Sequence, residues 1–263
     1  MAYMTNVDYY TVGVFVGLGV IISNASDINY LVQLGYGKGI LSRSEPIFLR
    51  QVEKKYTPSG NANRDAFHAK SISEHIKKSI SIEYLQLSAE ESFYLVDEKV
   101  LKVQKETTPA SNPVAYYTVE EMWEEFVNNL GERFIANYCV YCHYKNFSKT
   151  VRGGLKFGVD FVLYNEGGPK KLHAEWAVIL QTICREESEK AMGEEITRIT
   201  TSKDLQTVSR ITETVAKGLI ICFVIEDIKE GETVTKTHPS ILSNYAIRDF
   251  VVKRWEPTRN REN

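Results

Sequence analysis

Hydrophobic residues recur along this chain with two periods, and the changes from one to the other mark its elements. Thr11 to Ser23 (TVGVFVGLGVIIS) is β-branched and glycine-spaced, which suits buried strands. It is too short to span a bilayer. Its upstream flank carries Asp8 and no Lys or Arg, unlike a signal peptide, so no membrane segment is expected. Asn24 to Leu34 then reads as a short helix, with Ser26 or Asp27 as cap and Ile28, Leu31, Val32 and Leu34 on the apolar side. The stretch GYGKGILSRSEPIF is glycine-rich at Gly35, Gly37 and Gly39 and basic at Lys38 and Arg43, a composition that can cradle phosphate, but it fits no Walker or Rossmann spacing and reads better as a packing loop.

Residues 51–80 are polar and lysine-rich and predict a connector followed by a short helix around Ser71 to Ile80. His68 and His75 fall here without acidic or Cys partners. Order resumes with a helix capped by Ser88, with Glu91 at the capping-box position, and a strand over Val100 to Val103. Lys105 to Pro113 (KETTPASNP) has no periodicity and predicts the domain boundary. Thr118 and Glu121 open another helix, carrying Met122, Phe126, Val127 and Leu130. After Gly131 a further helix carries Phe134, Ile135, Tyr138, Tyr141 and Cys142.

Beyond these helices, a strand ends at Tyr164, a tight Gly-Gly-Pro turn follows, and His173 opens a strand over Ala174 to Gln181. Leu205 to Ala216 is helical, with Leu205, Val208, Ile211 and Val215 as its apolar face, and Gly218 ends it. Leu219 to Ile225 reads as a buried strand and Tyr245 to Trp255 as the last one. The expected fold class is α/β. A small N-terminal α/β domain (residues 1–107, with the connector at 51–80) precedes a C-terminal mixed-sheet domain (residues 114–263).

Composition adds little to this. Hydrophobic residues make up 43% and charged residues 25% of 263, as in ordinary globular proteins. A formal net charge of −2 gives no global support for nucleic-acid binding, so any RNA contact comes from a local patch. The four cysteines suggest no disulfide framework. Cys139-Val-Tyr-Cys142-His143 has haem-attachment spacing but lies in a helical pattern, where the residues read as helix packing.

The chemistry concentrates between Gly153 and Trp176. Strand, turn and strand present a phenol and an imidazole to each other. RNA can be cleaved without metal when a base removes the 2′-hydroxyl proton, an acid protonates the 5′-leaving oxygen, and a cation stabilises charge on phosphorus. Histidine, with a reference pKa of about 6.5, suits the acid or base role. Tyrosine needs a nearby cation to act as a base. Lys217, between a helix and a strand, is the candidate cation. A metal-dependent nuclease would instead want a carboxylate at a strand end followed by Glu-x-Lys. Asp160 and Glu175 offer carboxylates, but Trp176 and Ala177 follow Glu175.

The segment GGLKFGVDFVLYNEGGPKKLHAEWAVI resembles the signature of the tRNA-splicing endonuclease family. SRITETVAKGLIICFVIE is similar to that family's lysine helix and strand, and VKRWEPTRNREN to its C-terminal strand and tail. GYGKGILSRSEPIF and EYLQLSAEESFYLV resemble the family's eukaryotic catalytic subunit for the 5′ splice site. The resemblance implies a triad of Tyr164 as general base, His173 as general acid and Lys217 as charge stabiliser. It implies 2′,3′-cyclic phosphate and 5′-hydroxyl products and no metal or other cofactor. It also implies an RNA-base clamp from Arg210 and Trp255, by stacking and cation–π attraction. The implied substrate is intron-containing precursor tRNA. The implied assembly is a heterotetramer with a second catalytic subunit and two structural ones. The implied location is the nucleus, or the cytosolic face of mitochondria as in fungal relatives. A non-catalytic subunit of the same assembly is the alternative, and the full triad argues against it. Two departures stand out: Tyr164 to His173 spans one position more than the animal subunits lead one to expect, and FSKTVRGG lacks the Trp often found there.

Overall fold

A computed structural model describes residues 10–39, 83–105, 114–165, 168–171, 173–184, 198–226 and 236–253. The connector at 51–80 with His68 and His75, the core of the Lys105–Pro113 linker, Arg43 and Trp255 lie outside the described residues. Residues up to Asn129 form one compact unit and those from Leu130 a second.

The first unit is built on a five-stranded sheet of order β3-β4-β2-β1-β5. Its strands are β1 (Thr11–Phe15), β2 (Gly19–Ile22), β3 (Lys38–Gly39), β4 (Leu85–Ser88) and β5 (Leu101–Gln104). The apolar run at Thr11 is therefore a hairpin, β1 against β2, with β5 parallel to β1. Helix α1 (Ala25–Gln33) is capped by Asn24, not by Ser26 or Asp27: the Asn24 side chain accepts from both of their backbone N–H groups. Asp27 is instead buried, and its carboxylate accepts from Val12 N at 3.1 Å, tying the helix to β1. Leu34 is exposed. The glycine-rich stretch is not wholly loop, since Lys38 and Gly39 pair with β4.

Helix α2 (Ala89–Asp97) has the expected capping box between Ser88 and Glu91. Helix α3 (Val119–Leu130) opens on the reciprocal Thr118–Glu121 pair. It packs into the first unit: Trp123 lies edge-on to Phe93 at 5.0 Å and Phe126 edge-on to Phe15 at 5.6 Å.

The second unit holds a mixed sheet of order β10-β9-β8-β7-β6. Its strands are β6 (Thr150–Gly153), β7 (Phe161–Tyr164), β8 (Trp176–Cys184), β9 (Gly218–Glu226) and β10 (Tyr245–Val252). Only β8 and β9 run parallel. Central β8 buries Ala177, Val178, Ile179 and Leu180 completely, as a strand covered on both faces should. Helix α4 (Glu132–Asn146) covers one face. There Tyr144 donates to Asp249 of β10 at 3.1 Å, and Cys222 of β9 stands beside Asp249 in register. The Cys139–Cys142 pair lies on this helix. Burial pushes the Cys139 thiol up to about 12. Helix α6 (Ser202–Thr214) covers the opposite face. Its Leu205 and Val208 pack on Val162, Ala177, Ile179 and Leu219, while Ile211 is exposed.

Three expectations for this unit change. Strand β6 forms where the sequence pattern predicts no strand. The tight turn is a short helix, α5 (Gly168–Lys171). His173 precedes β8 rather than opening it. Among the described residues, no helix is long and apolar enough to cross a membrane.

Candidate active site

Strand register assembles the site. Leu163 of β7 stands opposite Trp176 of β8, and Trp176 opposite Gly218 of β9. One step further, Glu175 N donates to Leu163 O at 3.0 Å and Gly218 N donates to Glu175 O at 2.9 Å. Tyr164 closes β7, His173 precedes β8 by three positions, and Lys217 immediately precedes β9. All three therefore gather at one end of the sheet. Side chains two apart share a strand face, so Tyr164, Glu175 and Lys217 lie on the α6 face with Val162, Ala177 and Leu219.

Lys217 is half-buried, and its Nζ donates to the carbonyl of Ala174 at 2.9 Å. It also lies 4.9 Å from the centroid of the Phe157 ring. Lys217 thus sits against the peptide that follows His173. His173 itself is exposed. Tyr164 is half-buried and packs on the core beneath α6. Burial raises its pKa above the ordinary phenol value, and the positive charge of Arg152 opposes that shift. Arg152 stands opposite Val162 on β6, two positions from Thr150, the cross-strand partner of Tyr164. Arg152 thus supplies the positive charge that opposes the effect of burial on Tyr164.

A polar strap runs beside these groups. Lys149 donates to the Asn165 side-chain oxygen, and Asn165 Nδ2 donates to Glu175 Oε2 at 2.6 Å. It links the residue after Tyr164 to the segment that bears His173. After Asn165 the chain enters α5, whose Gly168 donates its N–H to Asn165 O at 3.1 Å.

The loop from Gly154 to Asp160 forms the floor. A Cβ on Gly154 would lie 2.5 Å from Val159 Cγ2 and 2.9 Å from Val159 O, so the loop closes only on glycine. Asp160 accepts from Arg133 Nη2 and Arg198 Nη1, each at 3.1 Å, and from Leu180 N at 2.9 Å. A carboxylate so engaged is a poor metal ligand. Asp160 and Glu175 are thus each engaged by other side chains, Asp160 by two arginines and Glu175 by Asn165.

Arg210 is exposed on α6. At about 100° per residue it falls nearly opposite Leu205 and Thr212, which face the sheet. It is therefore on the outer side of the helix, apart from the triad. Sequence reasoning missed Arg152 and Phe157. The first was hidden because β6 was unrecognised; once β6 is placed opposite β7, period-2 alternation puts Arg152 on Tyr164's face.

Residues 134–235 match the family described as tRNA intron endonuclease, catalytic C-terminal domain, and the match lies within the second unit. The chain is 28% identical to tRNA-splicing endonuclease subunit Sen2-1 of Arabidopsis thaliana, over 68% of this chain and 67% of that protein. It is 26% identical to the probable subunit sen2 of Schizosaccharomyces pombe, over 72% of this chain and 54% of the relative. It is 29% identical to subunit Sen2 of Gallus gallus, over 68% of this chain and 36% of the relative. The chain thus spans about half of the yeast protein and about a third of the chicken one. Residues 134–235 of the second unit thus match the catalytic C-terminal domain of the tRNA intron endonucleases, and motif order and the placement of Tyr164, His173 and Lys217 at one sheet end agree with that match.

Proposed function

We propose that this chain is the catalytic subunit that cuts precursor tRNA at the 5′ exon–intron junction. The observation that carries this reading is that the positions of Tyr164, His173 and Lys217 fall at one end of the sheet, with Lys217 Nζ donating to the carbonyl of Ala174, the residue after His173. The Tyr164 phenolate takes the 2′-hydroxyl proton, and the 2′-oxygen attacks phosphorus. The bond from phosphorus to the 5′-oxygen breaks, and His173 imidazolium gives its proton to that oxygen. Lys217 offsets the extra negative charge on the five-coordinate phosphorus. The products are a 2′,3′-cyclic phosphate and a 5′-hydroxyl.

Arg210 and Trp255 serve in this reading as the clamp on a splayed base. The exposure of Arg210 leaves its guanidinium accessible for that purpose. The chain acts within a heterotetramer with a second catalytic subunit and two structural ones, in the nucleus. Strand β10 pairs only with β9 among the described strands and exposes Phe250 and Val251, which suits docking by strand addition. The test is cleavage of an intron-containing tRNA by the reconstituted assembly in EDTA, with end-group analysis. Undiminished cleavage leaving cyclic phosphate is expected. Loss of cleavage restored by a divalent ion, or a 5′-phosphate product, would overturn the mechanism.

A further inference from the structure

We infer that Phe157 is a positioning residue for Lys217, and that the Gly154–Asp160 loop serves to hold its ring in place. The inference rests on the catalytic reading of Lys217. An ammonium group has three N–H donors. One goes to the Ala174 carbonyl at 2.9 Å. The Phe157 ring, with its centroid at 4.9 Å, offers the negative face of its π-system to the same charge. The carbonyl alone leaves a long, flexible stem free to swing about one hydrogen bond. Carbonyl and ring together define a seat and still leave a donor for a phosphate oxygen.

The ring is itself anchored. Phe157 lies in a single turn of 3-10 helix, Leu155–Phe157, and packs on the core that also holds Tyr164. Its N–H donates to Gly154 O at 2.8 Å, and Gly154 N donates to Asp160 O at 2.8 Å, so the loop is closed at both ends. Asp160 is held between Arg133 and Arg198, and Arg198 Nη2 also donates to Gly158 O at 2.9 Å. The neighbouring Leu155 is 90% exposed, so the loop is not shaped to bury its own apolar tip. What it buries in part is Phe157, directly under the lysine. An apolar side chain of similar size would fill the same space without attracting the ammonium. The proposal thus separates the ring's electrostatics from its packing.

The test uses the reconstituted endonuclease and single-turnover cleavage at the 5′ junction. Phe157→Leu should slow the cleavage step about tenfold, the range of a partly desolvated cation–π contact, with half-saturating tRNA unchanged. Phe157→Tyr, which keeps the ring face, should restore the rate. Phe157→Met covers the case in which leucine disturbs folding, and melting temperature and assembly are followed for each variant. In a Lys217→Ala background, Phe157→Leu should cause no additional loss. A wild-type rate in Phe157→Leu, no rescue by tyrosine, or equal losses with and without Lys217 would overturn the proposal while leaving the triad intact. Full 5′ cleavage by Lys217→Ala would overturn both.

Discussion

At the scale of single residues, the proposed mechanism turns on a phenol that burial keeps protonated. Tyr164 has its pKa raised by desolvation, with Arg152 opposing. The phenolate proposed as base is therefore a minor species near neutrality, and the charge of Arg152 favours it. Arg152→Gln leaves burial unopposed, so the proton is held more tightly. The expected outcome is slower single-turnover cleavage at fixed pH, with the alkaline limb of the pH–rate profile displaced upward. An unchanged alkaline limb would show that Arg152 does not act on Tyr164. Stability follows the same sign. A phenol whose folded pKa is raised favours folding in its neutral form. That contribution is fully present below the unfolded value of about 10 and is lost as pH rises through the folded one. The denaturation midpoint of the wild type, taken relative to that of Tyr164→Phe, should therefore hold steady near pH 8 and fall above pH 10, where only the wild type loses this contribution.

At the scale of elements, the strand ends matter more than the strands. The Trp176 indole lies against Gly218, where a Cβ would lie 2.4 Å from Trp176 Cζ3 and 2.5 Å from Cε3. Gly218→Ala must push the indole aside at the point where β8 and β9 meet beside Lys217. A loss of about 1–3 kcal/mol in unfolding free energy is expected, as for overpacking generally, together with slower 5′ cleavage. Unchanged stability in denaturant titration would contradict the packing. The main elements were legible because their signals are local. The Ser88–Glu91 and Thr118–Glu121 boxes, the apolar run at Leu219 and the helical spacing from Phe134 to Tyr141 each sit within a few residues. Strand β6 was not legible. Thr150–Gly153 is only four residues long and ends in glycine, and it is a strand because β7 pairs with it. Helix α5 is a single turn held where Gly168 packs near Thr150. The cap of α1 was misplaced because Asn24, Ser26 and Asp27 all cap well. Burial of Asp27 against Val12 decided between them.

At the scale of the whole molecule, sequence and structure contribute different parts of the account. The triad residues lie 9 and 44 positions apart in sequence, from Tyr164 to His173 and from His173 to Lys217. No local pattern joins them; the family resemblance supplied the set, and the strand register supplied the place where they meet. Arg152, Phe157 and the Asn165–Glu175 strap came only from that register and from side-chain contacts. The second unit contains the matched catalytic domain, whereas the first contributes its own sheet and core. The most direct test of the central claim is a map of cut ends on an intron-containing tRNA, using the assembly reconstituted with His173→Ala in this chain. Loss of the 5′ cut, with assembly and the 3′ cut retained, is the predicted result. Persistence of the 5′ cut at the wild-type rate would contradict the assignment of this chain as the subunit that makes it.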